Sequence, residues 1–535
     1  MKRRKTCLRS TAVVLTMTVC MLCSTSTKAQ FGGFNMNFGN FNMGDMFPKV
    51  EHTKMDHLDS NLPVISITTD TPPNAQKKVT ARMKMEGYDG YIGIKLRGNS
   101  SLAFNQKKYT IETRNEEGKE LKVSLLGMPA GSDWVLLCPY NDVSMLRDPI
   151  AFHLWREMGH WGPRTQMVEV LMDGEYIGIY ILTEAIKRGV DRVNIDKIRK
   201  IDTEGINLTG GYLLRIDTYN EDDATFPSKV PGIGEGIMTS QITWTCLNPK
   251  KKALQPEQLA YIQQYIEETE KVIQSDDFAD PKRGYAKYID VSSFVDYFIH
   301  TELSLNADGF KRSAYFYKER QNADGTGGKL FAGPVWDYNL AYGNCNFCNA
   351  NKIDAWCFEG GNTQPTPAMW QRLLQDPAFR KAVKVRYQSL RKTILSNKAI
   401  NEYIDNHAKL VAQAKNRHFK EYPELLVSEE QKAQQQQSNN QGGFGGMFGG
   451  FGGFGGFGGG GGFGSGDAIS WFAAYRVSSY EEEIKVLKQW FADRLDFLDK
   501  NIARFDKDFE PHIQPLKEIK PQFNGGFGGF PFPGM

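Results

Sequence analysis

The stretch 291–343, VSSFVDYFIHTELSLNADGFKRSAYFYKERQNADGTGGKLFAGPVWDYNLAYG, constrains the fold more than any other part of the chain. Phe294, Val295, Phe298, Ile299 and Leu303 recur at helical spacing, so the stretch opens as an amphipathic helix that fades near Asn306. Two apolar runs follow, 313–319 and 329–335, joined by a turn rich in Asn, Asp and Gly over 321–328. Paired as an antiparallel hairpin, they set Ser313 opposite Val335. Asp308, just before the first run, and Asp337, just after the second, then emerge at the same open end.

Two carboxylates at one strand end suit phosphoryl transfer, in which one acid orients the attacking hydroxyl and the other holds the metal on a nucleotide. They equally suit glycoside hydrolysis, in which paired acids flank the scissile bond. The plain alternative is that both cap loops or meet surface lysines, since structural networks also place carboxylates in such positions.

The 535 residues suffice for two or three average domains, or one large domain with appendages. With 65 basic and 62 acidic residues the chain has no global pull toward nucleic acid. Residues 1–29 read as a secretory signal: Lys2, Arg3, Arg4, Lys5 and Arg9 precede an apolar centre over 12–22, and Thr27-Lys28-Ala29 supplies small residues for cleavage. Export to the periplasm, cell surface or medium is the expectation. The surroundings of Cys20 and Cys23 match a lipidation box poorly, which argues against membrane anchoring. Beyond the signal, Cys138, Cys246, Cys345, Cys348 and Cys357 remain, an odd number. Cys345-x-x-Cys348 with Cys357 lacks a nearby histidine to complete a zinc site, so a local disulfide is expected there in an exported protein.

Residues 30–61 are an arm rich in Gly, Phe and Asn without periodicity, expected to be disordered. From Leu62 the character changes. LPVISITTD, KVTARMKME and YIGIKLRG read as successive strands, and RGNSS (97–101) forms a tight loop before a further strand that starts at Lys107. Period two sets Lys107 with Tyr109 and Ile111, and Lys108 with Thr110 and Glu112. A lysine on the apolar face needs an anionic partner, a phosphate or a carboxylate. Asp148-Pro149 reads as a cap and first-turn proline opening a helix, and Asp173-Gly174 as a hairpin turn. Glu184 closes the second hairpin strand. Residues 210–217 add a strand and 255–275 a helix. A Gln- and Gly/Phe-rich tract over 427–468 interrupts the chain as an insertion expected to be disordered, because glycine so dense cannot offset its ordering entropy by burial. After it, Ser479 and Glu482 form a capping box for a last helix within 469–507, whose stripe Ile484, Leu487, Phe491, Leu495, Leu498 and Ile502 faces a core. A Pro/Gly/Phe-rich tail fills 508–535.

Taken in order, RGNSS with the lysine pair, LLGMPAGSDWVLLCPYNDVSMLRD, GEYIGIYILTEAIKR, GGYLLRID, the N-x-D stretch at Asn306 and Asp308, and WDYN at 336–339 resemble the CotH family, the spore-coat-type atypical secreted kinases. The resemblance spans about 62–505 outside the Gly-rich tract. It implies an α+β, protein-kinase-like fold over 62–426 and the last helix, with an N-terminal β-rich lobe, a C-terminal helical lobe and a catalytic hairpin. It further implies transfer of the ATP γ-phosphate to Ser or Thr of an exported protein, with Mg or Mn. Carried over by position, Asp308 is the catalytic-loop acid, Asp337 the metal acid with Asn339 beside it, and Arg97, Gly98, Asn99 and Ser100 the nucleotide loop. Lys107 is the preferred phosphate lysine with Lys108 as the alternative, and Glu184 its ion-pair partner. Two positions depart from the pattern: Ser313 stands where many relatives carry Asn, and Asn339 where many carry Asp. Neutral oxygens hold Mg²⁺ less firmly than carboxylates.

Overall fold

A computed structural model describes residues 28–31, 34–37, 51–55, 57–235, 239–361, 364–431 and 473–516. Residues 1–27, which hold most of the segment read as a signal, half of the arm over 30–61, residues 432–472, which hold most of the Gly-rich tract, and the tail from 517 lie outside these residues.

Alternation builds the first half. Strand β3 (Val79–Met85) buries every second residue, as expected for a sheet with one apolar face. With β2 (Val64–Thr68), β4 (Tyr88–Arg97), β5 (Lys108–Arg114), β6 (Asp133–Leu137), β7 (Thr165–Met172) and β8 (Glu175–Glu184) it closes a barrel, in the order β8-β6-β5-β4-β3-β2-β7 and back to β8. The closing pair β2–β7 is parallel, and the other pairs are antiparallel. Closure removes the open edges that would otherwise invite intermolecular pairing. Ile67, Met83, Ile92, Ile94, Tyr109, Ile111, Trp134, Leu136 and Tyr180 fill the interior. Asp173 and Gly174, both with positive φ, make the expected turn between β7 and β8.

The expected disorder of 30–61 does not hold throughout. Phe34–Asn37 pairs with Lys28–Phe31. Thr53–Lys54 (β1) adds to the edge of β8, and Leu58 packs with Leu171 and Tyr176. The composition of the arm masks a short strand and an apolar anchor, Leu58, that the barrel can cover.

The second region is a five-stranded antiparallel sheet packed among helices. Its order is β10 (Ala224–Pro227), β11 (Thr243–Asn248), β9 (Tyr212–Ile216), β12 (Ala314–Lys318), β13 (Leu330–Ala332). β12 and β13 are the hairpin read from the sequence: Phe316 pairs with Ala332 and Lys318 with Leu330. Continued by three pairs, that register sets Ser313 opposite Val335. Tyr317 stacks on Phe331 across the strands, with ring centroids 4.8 Å apart, a pairing that reinforces the register. Before the hairpin runs α3 (Val291–Ser304), capped by Asp290, whose carboxylate accepts the Ser293 N–H. All but two of its residues are buried, so the helix is a core element. The helices α1 (Arg147–Glu157), α2 (Pro256–Gln274), α4 (Pro377–Arg391), α5 (Asn397–Leu410), α6 (Ala414–Glu421) and α7 (Tyr480–Ile502) complete the fold.

The stripe of α7 forms as read, with Leu487, Phe491, Leu495, Leu498 and Ile502 in the same apolar cluster as α3. Of the capping box only half forms, since Ser479 Oγ accepts the Glu482 N–H while Glu482 Oε2 accepts the N–H of Ser478, 2.8 Å, instead of that of Ser479. Either side of the Gly-rich tract the chain is joined by a hydrogen bond from Val427 N–H to the Val477 carbonyl, 3.0 Å. The tract therefore interrupts one packed unit.

Candidate active site

The site lies where the barrel rim meets the mouth of the β12–β13 hairpin. Ser313 and Asp337, flanking the hairpin, both have positive φ (45° and 65°), a conformation costly for residues with a Cβ and concentrated at functional positions. Asn306 ties the two acid-bearing segments: its Oδ1 accepts the Asp308 N–H at 3.2 Å, and its Nδ2 donates to the Asp337 carbonyl at 3.4 Å. Asp337 lies close enough to Asp308 that its charge disfavours ionisation of the Asp308 carboxyl. Burial pushes the Asp308 carboxyl up, Asp337 adds to the rise, and Arg312 and Lys311 oppose it.

From the barrel, the lysine that arrives is Lys108. Its Nζ is 3.5 Å from Asp337 Oδ1, and the side chain is 8 % exposed against 35 % for Asp337. Burial alone would lower this ammonium, but Asp337 and more distant neighbours including Asp148 reverse the balance and hold it raised. The preference for Lys107 is thus corrected. The alternation was right, but the apolar face of β5 lines the barrel interior and the cleft lies on the other face. Lys107 turns back to donate to the Leu102 carbonyl, 2.8 Å.

Glu184 is also corrected as the lysine's partner. It is fully buried and bonded to Arg164 Nη1 (2.6 Å), the Arg164 N–H (2.9 Å) and Arg192. Register explains the miss. Glu184 pairs with Trp134, and Trp134 with Ile111, three residues along β5 from Lys108.

The second acid that bears on Lys108 is Asp148, read from the sequence as a helix cap. The helix begins one residue earlier, at Arg147. Asp148 Oδ1 instead accepts the N–H of Tyr338, next to Asp337, at 2.6 Å. Burial raises its carboxyl to about 7, with Lys108 opposing and Asp337 adding to the rise. An Asp-Pro pair at a helix start carries no signal separating a cap from a residue that reaches across to a strand end.

The RGNSS loop closes the rim. Arg97 pairs with Lys108 across β4 and β5, and its guanidinium lies 5.1 Å from the ring centroid of Trp336. Gly98 has φ +119°, and a Cβ there would fall 2.0 Å from Ser101 Oγ, so the turn requires glycine. Asn99 Nδ2 donates to Thr218 Oγ1 at 3.0 Å, linking the barrel to the end of β9. Ser100 is exposed and opens a short 3-10 turn. Ser313 Oγ donates to Asp217 Oδ2 at 3.4 Å, which adds Asp217 to the acids around the mouth. Asn339 uses its Nδ2 on Asn141 Oδ1, 2.9 Å.

No three His, Cys, Asp or Glu side chains among the described residues form a metal site by themselves. The expected disulfide is absent too, and none of the five cysteines is bridged. Cys357 Sγ faces the Thr301 and Asn306 carbonyls and Cys348 Sγ lies 3.1 Å from Lys311 Nζ, so the thiols turn to different partners.

A family described as CotH kinase protein matches residues 94–498, more than half of the sequence. The chain belongs to the CotH family. A similar protein is the inner spore coat protein H of Bacillus subtilis (strain 168), 26 % identical over 318 residues, which cover 59 % of this chain and 75 % of that relative. The matched residues include Arg97, Lys108, Asp148, Asp308 and Asp337. No helix among the described residues is long and apolar enough to cross a membrane.

Proposed function

We propose that this CotH-family chain is an exported kinase that transfers the ATP γ-phosphate to Ser or Thr of secreted or surface proteins. The observation that carries the reading is the meeting of Lys108 from the barrel with Asp337 at the hairpin mouth, beside Asp308. Barrel and helical region serve as the two lobes, with the nucleotide between them.

The residues have fixed parts. Arg97 and Lys108 supply cations at the rim for nucleotide phosphates, and Gly98 lets the backbone turn close to them. Asp148 and Asp337 hold the Lys108 ammonium in place. Asp308 orients the acceptor hydroxyl and takes its proton, with Arg312 and Lys311 favouring its ionised form.

The donor set suits Mg²⁺ or Mn²⁺. Asp337 with the Asn339 amide oxygen offers hard oxygen ligands, and three further acids (Asp148, Asp217, Asp308) stand around the cleft. Magnesium is commonly held by one or two carboxylates together with substrate phosphates, which fits a site that lacks three ligands of its own. Bound there, the metal would neutralise charge on the transferring phosphoryl group.

Incubating the purified protein with labelled ATP, Mg²⁺ or Mn²⁺ and a mixed Ser/Thr protein substrate tests the proposal. Label should enter the protein substrate, and Asp337→Ala should remove it without lowering the melting temperature. Nucleotide turnover that is absent with either metal, or equal in Asp337→Ala, would sink it.

A further inference from the structure

Asp308 begins a tight turn. The N–H groups of Lys311 and Arg312 both donate to its carbonyl, at 2.8 and 2.7 Å, so the turn carries two cations to the neighbourhood of the acid. Their surroundings differ. Lys311 is buried, its Nζ rests on Cys348 Sγ, and a Cβ at Gly361 would collide with both atoms. Arg312 is only half-buried. Its guanidinium makes no hydrogen bond or ion pair among the described residues, and its Nε is sealed from water without an acceptor.

Other interior arginines show what such a group requires. Arg147 meets Asp142 and Glu483, Arg417 meets Glu169, and Arg494 meets Glu302 and three carbonyls. A buried donor without a partner is destabilising, and a guanidinium is shaped to bind a carboxylate or phosphate through two parallel bonds. Arg312 thus stands as an unfilled anion position.

Its place in the cleft says whose anion. Lys108 and Arg97 stand on the Asp337 side, whereas Arg312 and Lys311 are the cations bearing on Asp308. The nucleotide side already has its cations, and the side of the hydroxyl-orienting acid has Arg312. Ser313, the next residue, faces Asp217, an acid that disfavours a second anion on that side.

We propose that Arg312 is an acceptor-side anion subsite, receiving a carboxylate or phosphomonoester carried by the acceptor chain beside the hydroxyl that Asp308 orients. Acidic flanks then mark the preferred Ser or Thr. This inference rests on reading the cleft as a phosphotransfer site.

The test separates the two. Fluorescent peptides with the target serine replaced by alanine, and with Glu, phosphoserine, Ala or Lys at each flanking position, are titrated with full-length protein by anisotropy. At one flanking position the wild type should bind the Glu or phosphoserine peptide about tenfold more tightly than the Ala peptide, the worth of one charge-assisted contact. The stronger of the two identifies the anion. Arg312→Gln should erase the preference and Arg312→Glu should turn it toward Lys, a gain that unfolding cannot mimic. A wild type indifferent to flanking charge, or a preference that survives Arg312→Gln, overturns the subsite. The same peptides with serine restored, given Mg-ATP, read transfer. Charge-dependent binding without transfer keeps the subsite and removes the kinase reading.

Discussion

The barrel and the helical region bury charge in different ways. The barrel keeps an apolar interior, and the acids its strands bury lie outside that cluster: Glu169 meets Arg417 of α6, and Glu184 meets Arg164 and Arg192. The helical region runs ion pairs through its middle. Glu302 of α3 and Arg494 of α7 are both fully buried, 3.5 Å apart. Glu302 also accepts the N–H groups of Cys357 and Phe358, at 2.9 and 2.8 Å, while Arg494 donates to carbonyls at 302, 353 and 355. Nearer the surface, buried Asp296 is held by the more exposed Arg386 and His160. Burying a pair gains little net stability, but it fixes which backbone segments lie together. The region that carries Asp308 and Asp337 is therefore pinned by directional contacts, whereas the barrel is held mainly by apolar burial and delivers Lys108 from its rim.

The largest expected effects fall at the junction. Asp308→Asn should lower kcat about 10²–10⁴-fold, the usual worth of a positioned base, while nucleotide affinity changes little. Equal losses in both would give Asp308 a metal-holding or structural part. Lys108→Met should raise KM for ATP and lower turnover by more than tenfold, against less than a threefold change for Lys107→Met, from one charge-assisted contact per tenfold. Steady-state kinetics on the pair decides which lysine serves the cleft, and a reversed order would break the assignment of the site to the outer face of β5.

Within the helical region, Arg494→Met strands the Glu302 carboxylate and should cost about 3–5 kcal/mol in a denaturant titration. In the barrel interior, Ile111→Val removes one methyl group and should cost about 0.5–1.5 kcal/mol with activity retained. If the two losses were equal, the contrast between the regions would fail.

The last effect concerns pH. Asp148 ionises near its ordinary 3.8 in the unfolded chain but near 7 when folded. The unfolded chain thus sheds this proton first, and the group withdraws stability as pH rises from about 4 to about 7, with no further change above. Asp148→Asn keeps an acceptor for the Tyr338 N–H and loses that titration. Its melting temperature relative to wild type should be higher at pH 8 than at pH 5, and a pH-independent difference would show that Asp148 is not the group responsible.

Local pattern determined a good deal of this protein. Alternation in 79–85 and 88–97, the Asp-Gly turn at 173–174, the helical spacing from Phe294 to Leu303 and the apolar runs around the 321–328 turn specify elements and even the Ser313–Val335 register, because side-chain period and turn geometry are properties of neighbouring residues. Asp308 and Asp337 follow from that register. The rest depended on contacts between residues distant in sequence. Alternation separates the two faces of β5 but does not say that one of them closes into a barrel, so Lys107 and Lys108 could not be told apart. Asp148 reaches Tyr338 across 190 residues, and Glu184 is drawn away by Arg164 and Arg192 through its position along the sheet. Which carboxylate a buried cation meets depends on how the strands are staggered and which helix end lies over them, and in this chain those relations exist only after the barrel has closed against α3 and the hairpin.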